Sequence, residues 1–323
     1  MIRLLPPFVS NSVVSSLRKR PSIALLSTLA ITGLFLFSSF FPQVSEGQST
    51  PLTTQHEETL EQGAVRERAI SIGEAHAYRV QLGAGQYLRI AVEQHGVTVT
   101  TAVFLENGVP SNEKGIPQPS EKATSQKLIE VDSAGIERAS VISTDAASYR
   151  IVIQASKSQS AGHYLIKIEE KRPAYPQDQT RVAAEKAMAD AVQFTRQNKR
   201  EALLKSAELY RMALGLWQSL PDRQMADRQQ EAQARYLLAL RHQDLGDIQQ
   251  GIGHALEALA ISRETFDRIR ETAVLNALGS MYFALGDKMK AVAYFEQALS
   301  ASRIINDQAT ELAVLINMGV AYK

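Results

Sequence analysis

At 323 residues the chain has room for two domains and additional segments, and a net charge of +1 without any basic field excludes a nucleic-acid backbone as its partner. The absence of cysteine excludes a disulfide framework, a Cys-ligated zinc site and a thiol nucleophile. Arg3, Arg18, Lys19 and Arg20 precede an uncharged run of twenty residues from Ser22 to Phe41. At about 1.5 Å per residue this run would span roughly the 30 Å of a bilayer's hydrocarbon core. Residues 1–41 are therefore expected to be a basic cytoplasmic tail followed by a signal or anchor helix, with everything beyond on the far side of the membrane. The Ser45-Glu46-Gly47 stretch is a poor cleavage site, so a single-pass anchor is favoured over a secreted product.

Residues 42–63 are polar and aperiodic, which predicts a linker. Over 64–171 the pattern changes to eight short alternating segments, at 68–72, 75–82, 86–94, 97–105, 127–132, 138–143, 148–155 and 163–169, predicting an all-β sandwich. Tyr78 to Leu82 and Tyr87 to Val92 both alternate apolar with polar residues, as in sheets with one wet face. The excursion from Glu106 to Gln126, with three prolines, reads as a long surface loop. Ala77-Tyr78-Arg79-Val80, Gly83-Ala84-Gly85-Gln86-Tyr87-Leu88, Ala147 to Ile153 and Ala161 to Ile168 resemble the β-sandwich found beside secreted bacterial peptidases, the pre-peptidase C-terminal domain.

Lys171 to Pro176, with two prolines, ends the strand pattern, and residues 172–178 are assigned to a linker. From 179 to 323 the apolar spacing is helical. It also echoes at forty residues: Leu245-Gly246-Asp247 with Ala258-Leu259, Leu278-Gly279 through Leu285-Gly286-Asp287 with Ala291, Phe295 and Ala298, then Met318-Gly319. These residues resemble the tetratricopeptide repeat, an all-α solenoid of stacked helical pairs. Gly279 and Ala291 are small where paired helices approach, Gly286 suits a left-handed helix end, and Asp287 suits the cap of the next helix. A further first helix near Ala309 has no partner before Lys323, so the array is expected to be incomplete at its C-terminus.

In tetratricopeptide arrays the first helices line a groove that receives a peptide or protein. The resemblance implies that Gln233, Tyr236, Leu240, Gln243, Asn276, Ser280 and Phe283 line that groove here. No catalytic, cofactor or metal residues emerge: the six histidines have no metal-ligand spacing, Gly83-Ala84-Gly85 lacks what a phosphate loop needs, and Ser111 to Lys114 lies in a polar loop. His242, where the next repeat has Tyr282, is expected to pack. Glu264, Asp267 and Glu271 alternate with Arg263, Arg268 and Arg270, which predicts a solvated face of weak ion pairs.

The order of anchor, sandwich, Pro176-Gln177-Asp178 and Gly-Asp-punctuated repeats resembles the front of bacterial proteins that continue into a caspase-like CHAT protease domain. The expected fold is thus multidomain, and the expected function is a non-enzymatic, membrane-tethered or exported interaction scaffold. The alternative expectation is the sensing part of a CHAT protease whose catalytic domain this chain lacks. A sandwich that binds carbohydrate or calcium is the weakest reading, since its loops show no aspartate cluster.

Overall fold

Among the residues described in the computed structural model, the first regular element is a short strand inside the segment assigned to the linker. The described residues are 56–106, 125–131, 136–155 and 161–322. The proposed anchor at 22–41 and most of the 106–126 excursion lie outside them. Among the described residues no helix is long and apolar enough to cross a membrane.

Among the described residues nine strands form two sheets, followed by seven helices. The strands are β1 (His56–Thr59), β2 (Val65–Ile70), β3 (Ala75–Leu82), β4 (Gln86–His95), β5 (Val99–Glu106), β6 (Ser125–Val131), β7 (Ile136–Ile142), β8 (Ala147–Ala155) and β9 (Gly162–Pro173). One sheet has the order β1-β3-β8-β5-β6, the other β2-β9-β4-β7. β1 corrects the 42–63 linker: it pairs in parallel with β3 at the sheet edge, Glu58 opposite Tyr78. β9 runs to Pro173, so Arg172 and Pro173 belong to a strand rather than to the 172–178 linker.

A shared core joins the sheets, with Tyr78, Val80, Ile151 and Ile153 from one meeting Leu88, Ile90, Val92, Tyr164 and Ile166 from the other. Between β3 and β4 the Gly83–Gln86 turn, with Gly85 at φ +68°, carries the chain from one sheet to the other. The opposite side of β4 departs from the sequence reading. Tyr87, Arg89 and Ala91 alternate with the core residues yet are all buried, whereas Arg79 and Gln81 of β3 are exposed. The reason is that helices cover this face.

The helices are α1 (Pro176–Thr195), α2 (Arg200–Ser219), α3 (Met225–Leu245), α4 (Ile248–Glu264), α5 (Arg268–Ala284), α6 (Lys288–Ile304) and α7 (Gln308–Ala321). They pack as successive antiparallel pairs, and α1 also packs on β7 and β6. Four consecutive turns carry a left-handed residue and then an N-cap aspartate: Gly246-Asp247, Phe266-Asp267, Gly286-Asp287 and Asn306-Asp307. Asp267, Asp287 and Asp307 each accept from the backbone N–H three residues on, at 3.0 to 3.1 Å. Gly279 is required by contact, because a Cβ there would lie 2.5 Å from the ring of the buried Phe295.

Candidate functional site: the groove and its buried ionic floor

The forty-residue period sets side chains as well as turns. Arg223, Arg263 and Arg303 pair with Glu231, Glu271 and Glu311 at 2.7 to 2.8 Å, linking one helical pair to the next. His242 stacks on His254 with centroids 5.4 Å apart, and Tyr282 stacks on Tyr294 at 5.3 Å, the same pair one repeat later. Burial lowers the pKa of both histidines, which fits their role as packing groups. The reading of 263–271 as a solvated face is corrected in part. Asp267 is a cap, Glu271 is buried and accepts from Arg263 and Arg268, and Arg270 is buried over the Tyr236 ring. Only Glu264, bound to Arg228, is fully exposed among the three carboxylates.

The seven groove candidates fall into two environments. Tyr236, Leu240 and Gln243 on α3, and Ser280 and Phe283 on α5, are half-buried. The i, i+4, i+7 spacing of the first set and the i, i+3 spacing of the second put each on one stripe of its helix. Asn276 is buried, and its Oδ1 accepts from Asn317 Nδ2 at 2.9 Å, tying α5 to α7. Gln233 is also buried, on the flank of α3 that faces α1.

That flank leads to a charge network the sequence did not reveal. Arg172 lies between the rings of Tyr87 and Tyr175, 4.7 and 4.5 Å from their centroids. It donates to both oxygens of Asp178 at 2.6 and 3.0 Å, and to Glu170 at 2.8 Å. Arg181 on α1 donates to Asp178 at 2.8 Å and to both oxygens of Asp227 at 3.0 and 2.9 Å. Arg89, wholly buried on β4, donates to Asp227 at 3.0 Å and lies 3.7 Å from Glu185. Ser140 on β7 donates to Glu185 Oε1 at 3.0 Å, and Tyr87 is hydrogen-bonded to Ser140.

Local structure explains how these groups meet. Asp178 and Asp227 are third-position residues of α1 and α3, where each accepts from the cap backbone N–H of Tyr175 and Gln224. Asp227 sits forty residues before the cap Asp267, but α3 begins earlier than that register, which leaves its carboxylate free for the arginines. The ladder between β4 and β9 bulges after Arg89: Arg89 opposes Glu170 and Ile90 opposes Ile168. Glu169 is the extra residue and accepts from Arg138 at 3.0 Å.

The electrostatics separate the carboxylates. Burial opposes ionisation of Asp227 and Asp178, but hydrogen bonds and charge from Arg181, with Arg89 for the first and Arg172 for the second, hold both below the usual range. Burial dominates at Glu185 and raises it to about 7, against the pull of Arg89 and the Ser140 hydroxyl. Burial also pushes the Tyr87 phenol up.

Two cavities flank the array. A cleft of about 310 Å³ lies between α5 and α6, and its arginines, Arg263 and Arg268, are both engaged by Glu271. A small cavity of about 20 Å³ lies between β6, α1 and α3, lined by Glu185, Gln230 and Gln233 with Val131, Met188 and Leu237. Among the described residues there is no group of three His, Asp or Glu placed to hold a metal ion.

Among solved structures, the tetratricopeptide repeat domain of Arabidopsis FLU is 23% identical, covering 40% of this chain and 99% of that one with a TM-score of 0.34. BtubC from P. vanneervenii is 21% identical, covering 46% of this chain and 66% of that one with a TM-score of 0.34. PliG from Aeromonas hydrophila, a periplasmic inhibitor of g-type lysozyme, is 11% identical, covering 35% of this chain and 96% of that one with a TM-score of 0.24. No curated protein matches the sequence. Residues 230–304, which span α4 to α6 and most of α3, match the tetratricopeptide repeat family, a protein-interaction module.

Proposed function

We propose that this protein is a non-catalytic scaffold that holds a protein or peptide partner along α3 and α5, with the sandwich as a fixed wall at one end. The observation that carries this reading is the pair of half-buried stripes, Tyr236, Leu240 and Gln243 beside Ser280 and Phe283, at one repeat spacing. Each stripe offers apolar area next to groups able to bond a peptide backbone, the combination that docking grooves use. Asn276 and Gln233 support the groove from beneath, because both are buried.

The reading extends to placement. Residues 22–41 anchor the chain in a membrane with the sandwich and array on the extracytoplasmic side, supported by the uncharged run behind Arg18, Lys19 and Arg20. Affinity capture with the full chain in detergent, against a Gln243→Arg/Ser280→Arg variant, tests the groove. Both substitutions add bulk at half-buried positions without emptying the core. A partner retained by the parent and lost from the variant supports the groove, and equal recovery contradicts it. Carbonate extraction tests the anchor: release of the full chain into the soluble fraction would contradict it.

A further inference from the structure

The ionic floor is one cation short. Arg89, Arg172 and Arg181 face four carboxylates, Glu170, Asp178, Asp227 and Glu185, while Arg138 is matched by Glu169. Within this network Glu185 Oε2 and the Nε and Nη1 of Arg89 are without a hydrogen-bond partner, and of these only Glu185 lines a cavity. Glu185 is 3% exposed, and its Oε2 has no hydrogen-bond partner although Oε1 accepts from Ser140. Neither protonation state satisfies Oε2 from within the described residues, since an ionised oxygen lacks a donor and a protonated one lacks an acceptor.

Glu185 lines the cavity between β6, α1 and α3, whose 20 Å³ just exceeds the roughly 10–15 Å³ needed by one water-sized group. A primary ammonium head has that size, whereas a guanidinium does not fit. The amides of Gln230 and Gln233, both buried, provide carbonyl acceptors on the opposite wall. Apart from Arg138, which is held by Glu169, the rest of the lining is apolar, from buried Met188 to half-buried Val131, Val192 and Leu237. A lysine side chain matches this gradient, with methylenes against the rim and its charged head within.

We propose that this cavity binds the ammonium group of a lysine presented by the protein partner, with Glu185 as its counter-ion. The proposal rests on the array being a protein-binding unit and adds what the partner must carry at the sandwich end of the groove. The raised ionisation range of Glu185 fits a carboxylate that waits for a cation.

The test uses the full chain in detergent, labelled with ¹³C at the glutamate carboxyls, and n-butylammonium as the probe at pH 8. A saturable shift of the Glu185 resonance is expected in the millimolar range. Methylammonium, which is fully charged at pH 8 but lacks the stem, should bind several-fold more weakly. Glu185→Gln, nearly the same shape, should stay folded and lose the response, and Leu237→Trp, which narrows the rim, should weaken binding while Glu185 still titrates. No saturation with n-butylammonium would assign the cavity to water and overturn the proposal. An equal response to n-butanol, or stronger binding of methylammonium, would also overturn it. None of these outcomes bears on Gln243 and Ser280, so the lysine site and the groove fail separately.

Discussion

β3 and β4 carry the same alternation in sequence and end in opposite surroundings. The outer residues of β3, Arg79 and Gln81, meet solvent, and Arg79 reaches exposed or half-exposed Glu57 and Glu106 at 3.1 and 3.4 Å. The outer residues of β4 are roofed by α1 and α3, and there an arginine of the same spacing is wholly buried against Asp227. Context therefore decides what an arginine contributes. A surface pair adds about 0–1 kcal/mol, while breaking a buried pair costs about 3–5 kcal/mol because a desolvated charge is left unmatched.

Asp227→Ala should show the largest effect, destabilising the protein by about 3–5 kcal/mol in urea unfolding. Arg79→Ala should change stability by less than about 1 kcal/mol. Equal effects from the two would erase the contrast.

Glu185 sharpens it through pH. Its carboxyl is raised from 4.5 to about 7 in the folded state. The folded state therefore holds that proton more tightly, and the stability it contributes is full below pH 4.5 and lost as pH rises to 7. The loss is on the order of 3 kcal/mol. Asp227 and Asp178 shift downward, so they act only at more acidic pH, where their contribution fades as they protonate. Glu185→Gln should flatten the profile between pH 5 and 8 and exceed the parent in stability at pH 8. An unchanged slope in the variant would place the titration elsewhere.

The array offers smaller contrasts of covered against open positions. Gly279→Ala should destabilise by about 1–3 kcal/mol because its Cβ meets the Phe295 ring, while Gly253→Ala, in open space on α4, should stabilise by about 0.5–1 kcal/mol in thermal unfolding. Phe266 holds φ +55° where the neighbouring turns have Gly246, Gly286 or Asn306, and the residue is 72% exposed. Phe266→Gly should therefore stabilise by about 1 kcal/mol.

The periodic half of the molecule was legible because its causes repeat. Gly286, Asp287, Gly279 and the packing of His242 follow from local geometry that recurs every forty residues. The ionic floor was not legible, since Arg89 and Asp227 are 138 residues apart and belong to different patterns. One signal was present in β4: Tyr87 and Ala91 share a face with Arg89, and two apolar residues on a supposedly wet face indicate a cover. Asp178 was hidden differently, within a segment assigned to a linker, where two prolines end a strand and begin a helix within four residues. The half-buried stripes of α3 and α5 could be placed by register alone, but the burial of Asn276 and Gln233 depended on neighbours, Asn317 and the sandwich, that register does not supply.

The ionic floor is expected to make the sandwich and the helical array unfold as one body. Trp217, the sole tryptophan and fully buried in the array, reports one half by fluorescence, and amide exchange of β4 and β8 reports the other. In urea the full chain should give one midpoint by both probes, separating into two in Asp227→Ala. Two midpoints in the parent protein, or a single one retained in Asp227→Ala, would contradict the account.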